Sequence, residues 1–244
     1  MKLLGVVLSS LLVPWCCVAE ASAAVQPKFC EGCSFSKAVL ANSDFSNAVY
    51  IGVNFADANL SGSSFRGARL VAANFEGANL SNVAFDASDC IACNFGGASL
   101  DGATFSGAQM TAANLSGFKA SVADKQLAAL LSGCIKCSFT GSDLAGRDLS
   151  GASLVGIDLS KADLRGANFS GAVLCWYVTR SDGGAAAATR RPQCDAMKEA
   201  QLSGTRFDGA LICEDPVHRQ GCKAVGVDDL RRFSGSALEG AAVP

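Results

Sequence analysis

From Phe35 to Leu115 a large apolar residue recurs at every fifth position. The series is Phe35, Leu40, Phe45, Tyr50, Phe55, Leu60, Phe65, Leu70, Phe75, Leu80, Phe85, Cys90, Phe95, Leu100, Phe105, Met110 and Leu115, 17 positions without a miss. Two residues before each sits a small or modest side chain, such as Ala38, Ser43, Ala48, Val53, Ala58 and, at the end, Ala113. Asn or Asp often stands between the two, as in Ala58-Asn59-Leu60. Neither the 3.6-residue period of a helix nor the 2-residue period of a plain strand fits this spacing. A short unit repeated at a fixed period is the mark of a solenoid, in which each unit buries its face against its neighbours. The phase breaks over Ser116 to Lys136 and resumes at Phe139, running through Leu144, Leu149, Leu154, Leu159, Leu164, Phe169 and Leu174. Inside the break, Asp124 to Gly133 reads as a short helix. Asp124 is its expected N-cap, Leu127, Leu130 and Leu131 its apolar face, and Gly133 its C-terminal cap.

The unit A-[DN]-[LF]-x-x resembles the pentapeptide-repeat family, over Phe35 to Leu115 and again over Phe139 to Leu174. The resemblance implies an all-β fold: a right-handed quadrilateral β-helix in which four pentapeptides make one square coil. The central Leu or Phe and the small residue two before it point inward. With twenty residues per coil, Phe35/55/75/95 and Phe45/65/85/105 line opposite walls, and Leu40/60/80/100 a third. The fourth is mixed: Tyr50, Leu70, Cys90 and Met110. Ala at the paired inward position leaves room for each ring, so the interior is expected to be packed, with no channel. The expected organisation is residues 1–23 as a leader, 30–115 as a first β-helix block, 116–136 as a helical interruption and 137–174 as a second block. An irregular, Cys-containing tail at 175–244 completes it. Two coils are marginal alone, so the second block is expected to stack on the first, with the helix outside or over the junction. Thr179 to Pro192 reads as a loop or a disordered linker. Leu202, Phe207 and Ile212 suggest a partial return of the repeat, and Val227 to Leu238 a short terminal helix.

Half the chain is apolar and its mean hydropathy is +0.28, which raises the question of a membrane protein. The repeat supplies the answer, because Ala at inward positions inflates the apolar fraction. Met1-Lys2 followed by the apolar run Leu3 to Val18 and Ala19-Glu20-Ala21-Ser22-Ala23 has the form of a secretory signal peptide, with cleavage expected after Ala23. The run is shorter than the ~20 residues of a membrane span, and bulky Trp15 before Cys16 disfavours a lipoprotein site. The expected location is the periplasm or outside the cell. Because the family also occupies the thylakoid lumen, that compartment is the alternative. With 20 Lys+Arg against 22 Asp+Glu, the chain lacks the basic surface of a nucleic-acid binder.

Ten cysteines follow the leader. Cys30/Cys33, Cys90/Cys93 and Cys134/Cys137 all read C-x-x-C-[SN]-F, and Cys175, Cys194, Cys213 and Cys222 lie in the tail. In each CxxC the first Cys holds the central inward position and the second the small inward position. Buried packing and a local disulfide are the leading readings. Cys30 and Cys90 are three coils apart, about 14 Å at one strand spacing per coil, too far for a shared metal or a bridge. A site joining Cys134/Cys137 to another pair stays open, and so does a thiol-redox role, although inward cysteines lack an exposed low-pKa setting. In the tail four cysteines allow three connectivities, of which Cys175–Cys194 with Cys213–Cys222 is the one that proximity in sequence favours.

No catalytic constellation emerges. His218 is the single histidine, and no phosphate-binding Gly-rich loop sits between a strand and a helix. The expected function is a non-catalytic exported scaffold or protein-interaction module, without cofactor or metal and with an unidentified protein partner. A homodimer is possible in the family's manner. The alternatives are a thiol-redox or oxidative-folding role and, as in some family members, a DNA mimic acting on a type II topoisomerase. The mimic needs a dense acidic face. Residues 35–115 carry only Asp44, Asp57, Glu76, Asp86, Asp89 and Asp101 against Lys37, Arg66 and Arg69.

Overall fold

The computed structural model describes residues 26–119, 122–154, 156–180, 189–193, 197, 199–215 and 219–226. The leader 1–23, Cys194, His218 and the helix expected at Val227 to Leu238 lie outside these residues. The chain is a parallel β-solenoid. One wall is a six-stranded parallel sheet of very short strands: β1 (Phe29–Glu31), β2 (Val49–Ile51), β3 (Arg69–Val71), β4 (Asp89–Ile91), β5 (Gln109–Thr111) and β6 (Cys134–Ile135). Register is the twenty-residue repeat itself: Cys30 pairs with Tyr50, Tyr50 with Leu70, Leu70 with Cys90 and Cys90 with Met110. The other three walls are ladders of single bridges, such as Asn54–Asn74–Asn94–Asn114 and Asn59–Asn79–Ser99.

The interior is filled by rings. Phe35, Phe55, Phe75 and Phe95 stack with centroids 5.1–5.2 Å apart. Phe45, Phe65, Phe85 and Phe105 stack opposite them at 4.6–5.5 Å. The two columns meet edge to face at 5.5–5.8 Å. Both geometries are favoured by the ring quadrupole. Where Ser or Thr replaces Ala inside, its hydroxyl is satisfied by a corner carbonyl, as for Ser63 to Leu40 (2.7 Å) and Thr205 to Leu164 (2.7 Å). Burial pushes the Tyr50 phenol above its ordinary pKa, and its hydroxyl donates to the Pro27 carbonyl at 2.6 Å.

Helix α1 (Asp124–Gly133) does not bulge from the rod. It occupies the place that a wall holds in other coils, between Lys119, which bridges to Asp143, and β6. The register step there is 24 residues, Met110 to Cys134, instead of 20. Leu127, Leu130 and Leu131 are buried in the common core, because a helix face of three leucines can fill the volume that Phe or Leu fills elsewhere. Two cap expectations are corrected. Ala123 is the N-cap residue and makes no side-chain cap, whereas Asp124 lies in the first turn and pairs with Arg147 at 2.8 Å. Gly133 is the last helical residue, not a left-handed cap; it is glycine because a Cβ there would lie 2.0 Å from the Ala108 carbonyl oxygen.

The tail is more ordered than its composition implies. Thr179 to Pro192, expected as a loop, is entered and left by an antiparallel hairpin of β7 (Val173–Arg180) and β8 (Thr189–Gln193). The β-branched and aromatic run Trp176-Tyr177-Val178-Thr179 favours a strand. The repeat then resumes on the solenoid. Gln201 bridges to Asp163 and Arg206 to Asn168, Phe207 stacks on Phe169 at 5.4 Å, and β9 (Leu211–Cys213) pairs in parallel with β7. Strand β10 (Lys223–Ala224) closes this end against β9.

Candidate functional site

Corners that carry Asn or Asp before the central residue share one local chemistry. The Asn or Asp before the central residue accepts the backbone N–H two residues on, as Asn54 does from Ala56 (3.0 Å) and Asn79 from Ser81 (3.1 Å). This Asx turn explains why those two residue types hold the position. Along the rod the same side chains join one another, Asn74 to Asn54 (3.3 Å), Asn94 to Asn74 (3.2 Å) and Asn114 to Asn94 (2.8 Å). The polar rows of these walls are thus engaged in the fold.

In the second half, carboxylates take over the ladder. The Arg165 guanidinium holds the Asp163 carboxyl below its usual pKa, and Ser150 and Ser46 do the same for Asp148 and Asp44 through their hydroxyls and N–H groups. A depressed native pKa means that ionisation favours the fold. This contribution is complete above the ordinary value of 3.8 and is lost as the pH falls below it through the native value. The urea midpoint is therefore expected to drop between about pH 5 and about pH 2.5, and to drop less in Asp163→Asn.

Three corners of the coil are closed by a backbone bond from the small residue to the central one, such as Ala58 to Phe55 (3.1 Å), Ser63 to Leu60 (3.0 Å) and Ala68 to Phe65 (3.0 Å). The corner after the sheet wall differs. There the chain stays extended one residue longer and the small residue makes no bond back to the central carbonyl, while the N–H two past the central residue bonds the neighbouring coil as at the other corners, Gly52 to Val71 (2.8 Å) and Gly62 to Ser81 (2.8 Å). Among the described residues the corners that follow β1 to β6 form no such turn bond. All three CxxC motifs stand at this corner type. Central and small positions there bring Cys30/Cys33, Cys90/Cys93 and Cys134/Cys137 to Cα separations of 6.0, 5.9 and 5.6 Å, and each pair is disulfide-linked. The crosslink ties the corner that lacks a turn hydrogen bond. In the tail, Cys213 is linked to Cys222. Cys175 is disulfide-bonded as well, and Cys194 lies outside the described residues.

The structure keeps the three CxxC pairs apart. Cys30 and Cys90 are separated by Tyr50 and Leu70, and Cys90 and Cys134 by Met110. Among the described residues no three His, Cys, Asp or Glu side chains converge as metal ligands, and no helix is long and apolar enough to cross a membrane.

One surface was missed in the sequence. The outward residues one step past the central position of the sheet wall form an in-register row, Ile51–Val71–Ile91–Thr111–Ile135. Ile51 and Ile135 are 38% and 52% exposed. The signal was available, since β-branched residues recur there every twenty positions, but the five-residue period masks it. Beside the row stand Arg69 and Asp89, adjacent rungs of opposite charge.

The family model for pentapeptide repeats matches eight copies, over residues 51–86, 78–117 and 137–174. Solved structures similar to the chain include a pentapeptide-repeat protein of the Arabidopsis thaliana thylakoid lumen, 28% identical over 40% of this chain and 72% of that one, TM-score 0.34. HetL of the cyanobacterium Nostoc, involved in heterocyst differentiation regulation, is 25% identical over 75% of this chain and 71% of its own, TM-score 0.25. Full-length QnrB1, a plasmid-mediated fluoroquinolone resistance protein, is 17% identical over 79% and 82%, TM-score 0.24. None of these overlaps is close enough to carry a role from one protein to the other. No curated protein matches the sequence.

Proposed function

The chain is a pentapeptide-repeat protein, and from that premise we propose that it is a non-catalytic exported scaffold that binds a protein partner through the outer face of its sheet wall. The observation that carries this reading is the aliphatic row Ile51–Val71–Ile91–Thr111–Ile135. It runs about 19 Å at one strand spacing per rung. A largely aliphatic outward row, broken by Thr111 and ended by Glu31, suits a docking surface, with Arg69 and Asp89 supplying a charged rim. The other walls support the reading by contrast, because their Asn and Ser side chains bond one another. A DNA mimic has less support, since Asp86, one of the few acids of residues 35–115, is paired with Arg66 at 2.6 Å.

The test is capture of a partner from the exported fraction of the native cell. The double variant Val71→Asp/Ile91→Asp is expected to lose at least tenfold in capture of the protein that the wild type retains, with an unchanged circular dichroism spectrum. Asn79→Ser, on another wall, is expected to keep it. Equal capture by the sheet-wall variant would overturn the reading. Export is tested by fractionation and N-terminal sequencing, with a mature start at Ala24 expected; retention of the intact chain inside the cell would contradict it.

A further inference from the structure

The three CxxC pairs share sequence spacing and corner type, but not surroundings. Cys90/Cys93 and Cys134/Cys137 lie inside the rod, with Cys93 and Cys137 each only 1% exposed. Cys30 is buried, but Cys33 is half-buried and packs at the rim of the core beside Phe35 and Ala38, which are also half-buried. The strands differ in the same way. β4 is bonded on both sides, to β3 and β5, whereas β1 and β6 are the two edges of the sheet; past β6 the solenoid continues, with Asp158 N–H donating to the Cys137 carbonyl at 2.9 Å, while β1 pairs with β2 at the end of the described coils. Phe29, in that edge strand, is 63% exposed.

We propose that Cys30–Cys33 is a thiol–disulfide exchange site, open to an external dithiol at the Cys33 sulfur, while the two inner CxxC disulfides are sealed. A thiolate must approach the attacked sulfur directly, so access decides which disulfide reacts. At Cys33 the approach is from the end of the solenoid; at Cys93 and Cys137 it requires separating neighbouring coils. The thiolate of the incoming dithiol attacks Cys33 Sγ, and the Cys33–Cys30 bond breaks. Its electron pair leaves with Cys30 Sγ, which takes up a proton. The second thiolate of the dithiol then attacks its own sulfur of the mixed disulfide, releasing Cys33 as a thiolate that is protonated in turn. The protein disulfide gains two electrons and two protons, and the dithiol becomes a disulfide.

Exchange here has a structural consequence. The corner Cys30–Glu31–Gly32–Cys33 has no turn hydrogen bond of its own, so reduction removes its only intra-corner tie. Among the described residues the coil at 30–49 is bonded along the axis only to the coil of residues 50–69, and an end unit with neighbours on one side is the first to open. The site is thus a release point for the first coil. Closure is the reverse exchange: the disulfide form of the dithiol is the two-electron oxidant, and the nearness of two thiols three residues apart favours the intramolecular second step.

The experiment uses the purified exported protein and dithiothreitol as the probe. Thiols released at each time are alkylated and assigned by peptide mass spectrometry. Cys30 and Cys33 are expected to label at least tenfold faster than Cys90/Cys93 and Cys134/Cys137, while the circular dichroism spectrum is retained. Equal labelling of an inner pair, or labelling of Cys30 and Cys33 only as the whole chain unfolds, would overturn the proposal. The Cys30→Ser/Cys33→Ser variant is expected to lose the fast phase while the inner pairs label as in the wild type; persistence of that phase would place the site elsewhere. Amide exchange after selective reduction is expected to rise over residues 30–49 and to stay unchanged over 70–109. Unchanged protection at 30–49 would refute the release of the first coil.

Discussion

Phe75→Ala is expected to destabilise the solenoid by about 4 kcal/mol, within the range measured for large aromatic truncations in cores. The Phe75 ring is fully buried and stacks between Phe55 at 5.2 Å and Phe95 at 5.1 Å. It also meets Phe65 at 5.5 Å and Phe85 at 5.8 Å edge to face. Removing it deletes buried apolar surface and leaves a void that four neighbouring rings cannot close, since each is fixed by its own rung. Phe35→Ala is the matched comparison. That ring is half-buried and stacks on Phe55 at the end of the column, so a loss of about 1–2 kcal/mol is expected from the smaller area involved. The urea midpoint multiplied by the slope of the transition measures both. Equal costs would mean that the ring column does not govern stability.

Gly133→Ala is expected to cost about 3 kcal/mol, at the upper end of what overpacking produces. The new Cβ would meet the Ala108 carbonyl oxygen at 2.0 Å and its carbon at 3.0 Å. Both are backbone atoms of the preceding coil, so no rotamer change relieves the contact and the helix must lift from the coil beneath it. Asn discriminates between the two accounts of this glycine. A left-handed helix cap accepts Asn; a site closed by a neighbouring backbone does not, and Gly133→Asn is expected to lose at least as much as Gly133→Ala. Thermal unfolding of the two variants against wild type decides. Tolerance of Asn would return Gly133 to the role of a cap.

Where sequence reading succeeded and failed follows from the range of the interactions. The five-residue period is written into every unit, so the solenoid and its Phe columns are legible without coordinates. The stretch after Leu174 is a different case: Met197, Leu202, Phe207 and Ile212 continue the phase only after the hairpin β7–β8 has left and rejoined the rod. The spacing of Leu202, Phe207 and Ile212 hints at a returning repeat, but an insertion removes the regular spacing that says where it docks, so its pairing with Asp163 and Asn168 is visible only as three-dimensional register. Likewise, Leu127, Leu130 and Leu131 announce a helix face, but nothing local says that this face replaces a wall. The three CxxC motifs look identical in sequence, and only burial separates the rim pair from the inner two.

The repeat, the inward positions and the pairing of large with small residues in the core are all set within five to twenty residues, and so they are legible from the chain alone. The low density of charge along the walls is equally legible. Three features emerge only in three dimensions, namely the place of the helix within the coil, the backbone contact that requires glycine at 133 and the unequal exposure of the CxxC pairs, and the outer aliphatic row, present in the sequence every twenty positions, is recognised only there. The physical reason is that these depend on what the neighbouring coil presents at a distance of one strand spacing, about 4.8 Å across space but twenty or more residues away along the chain.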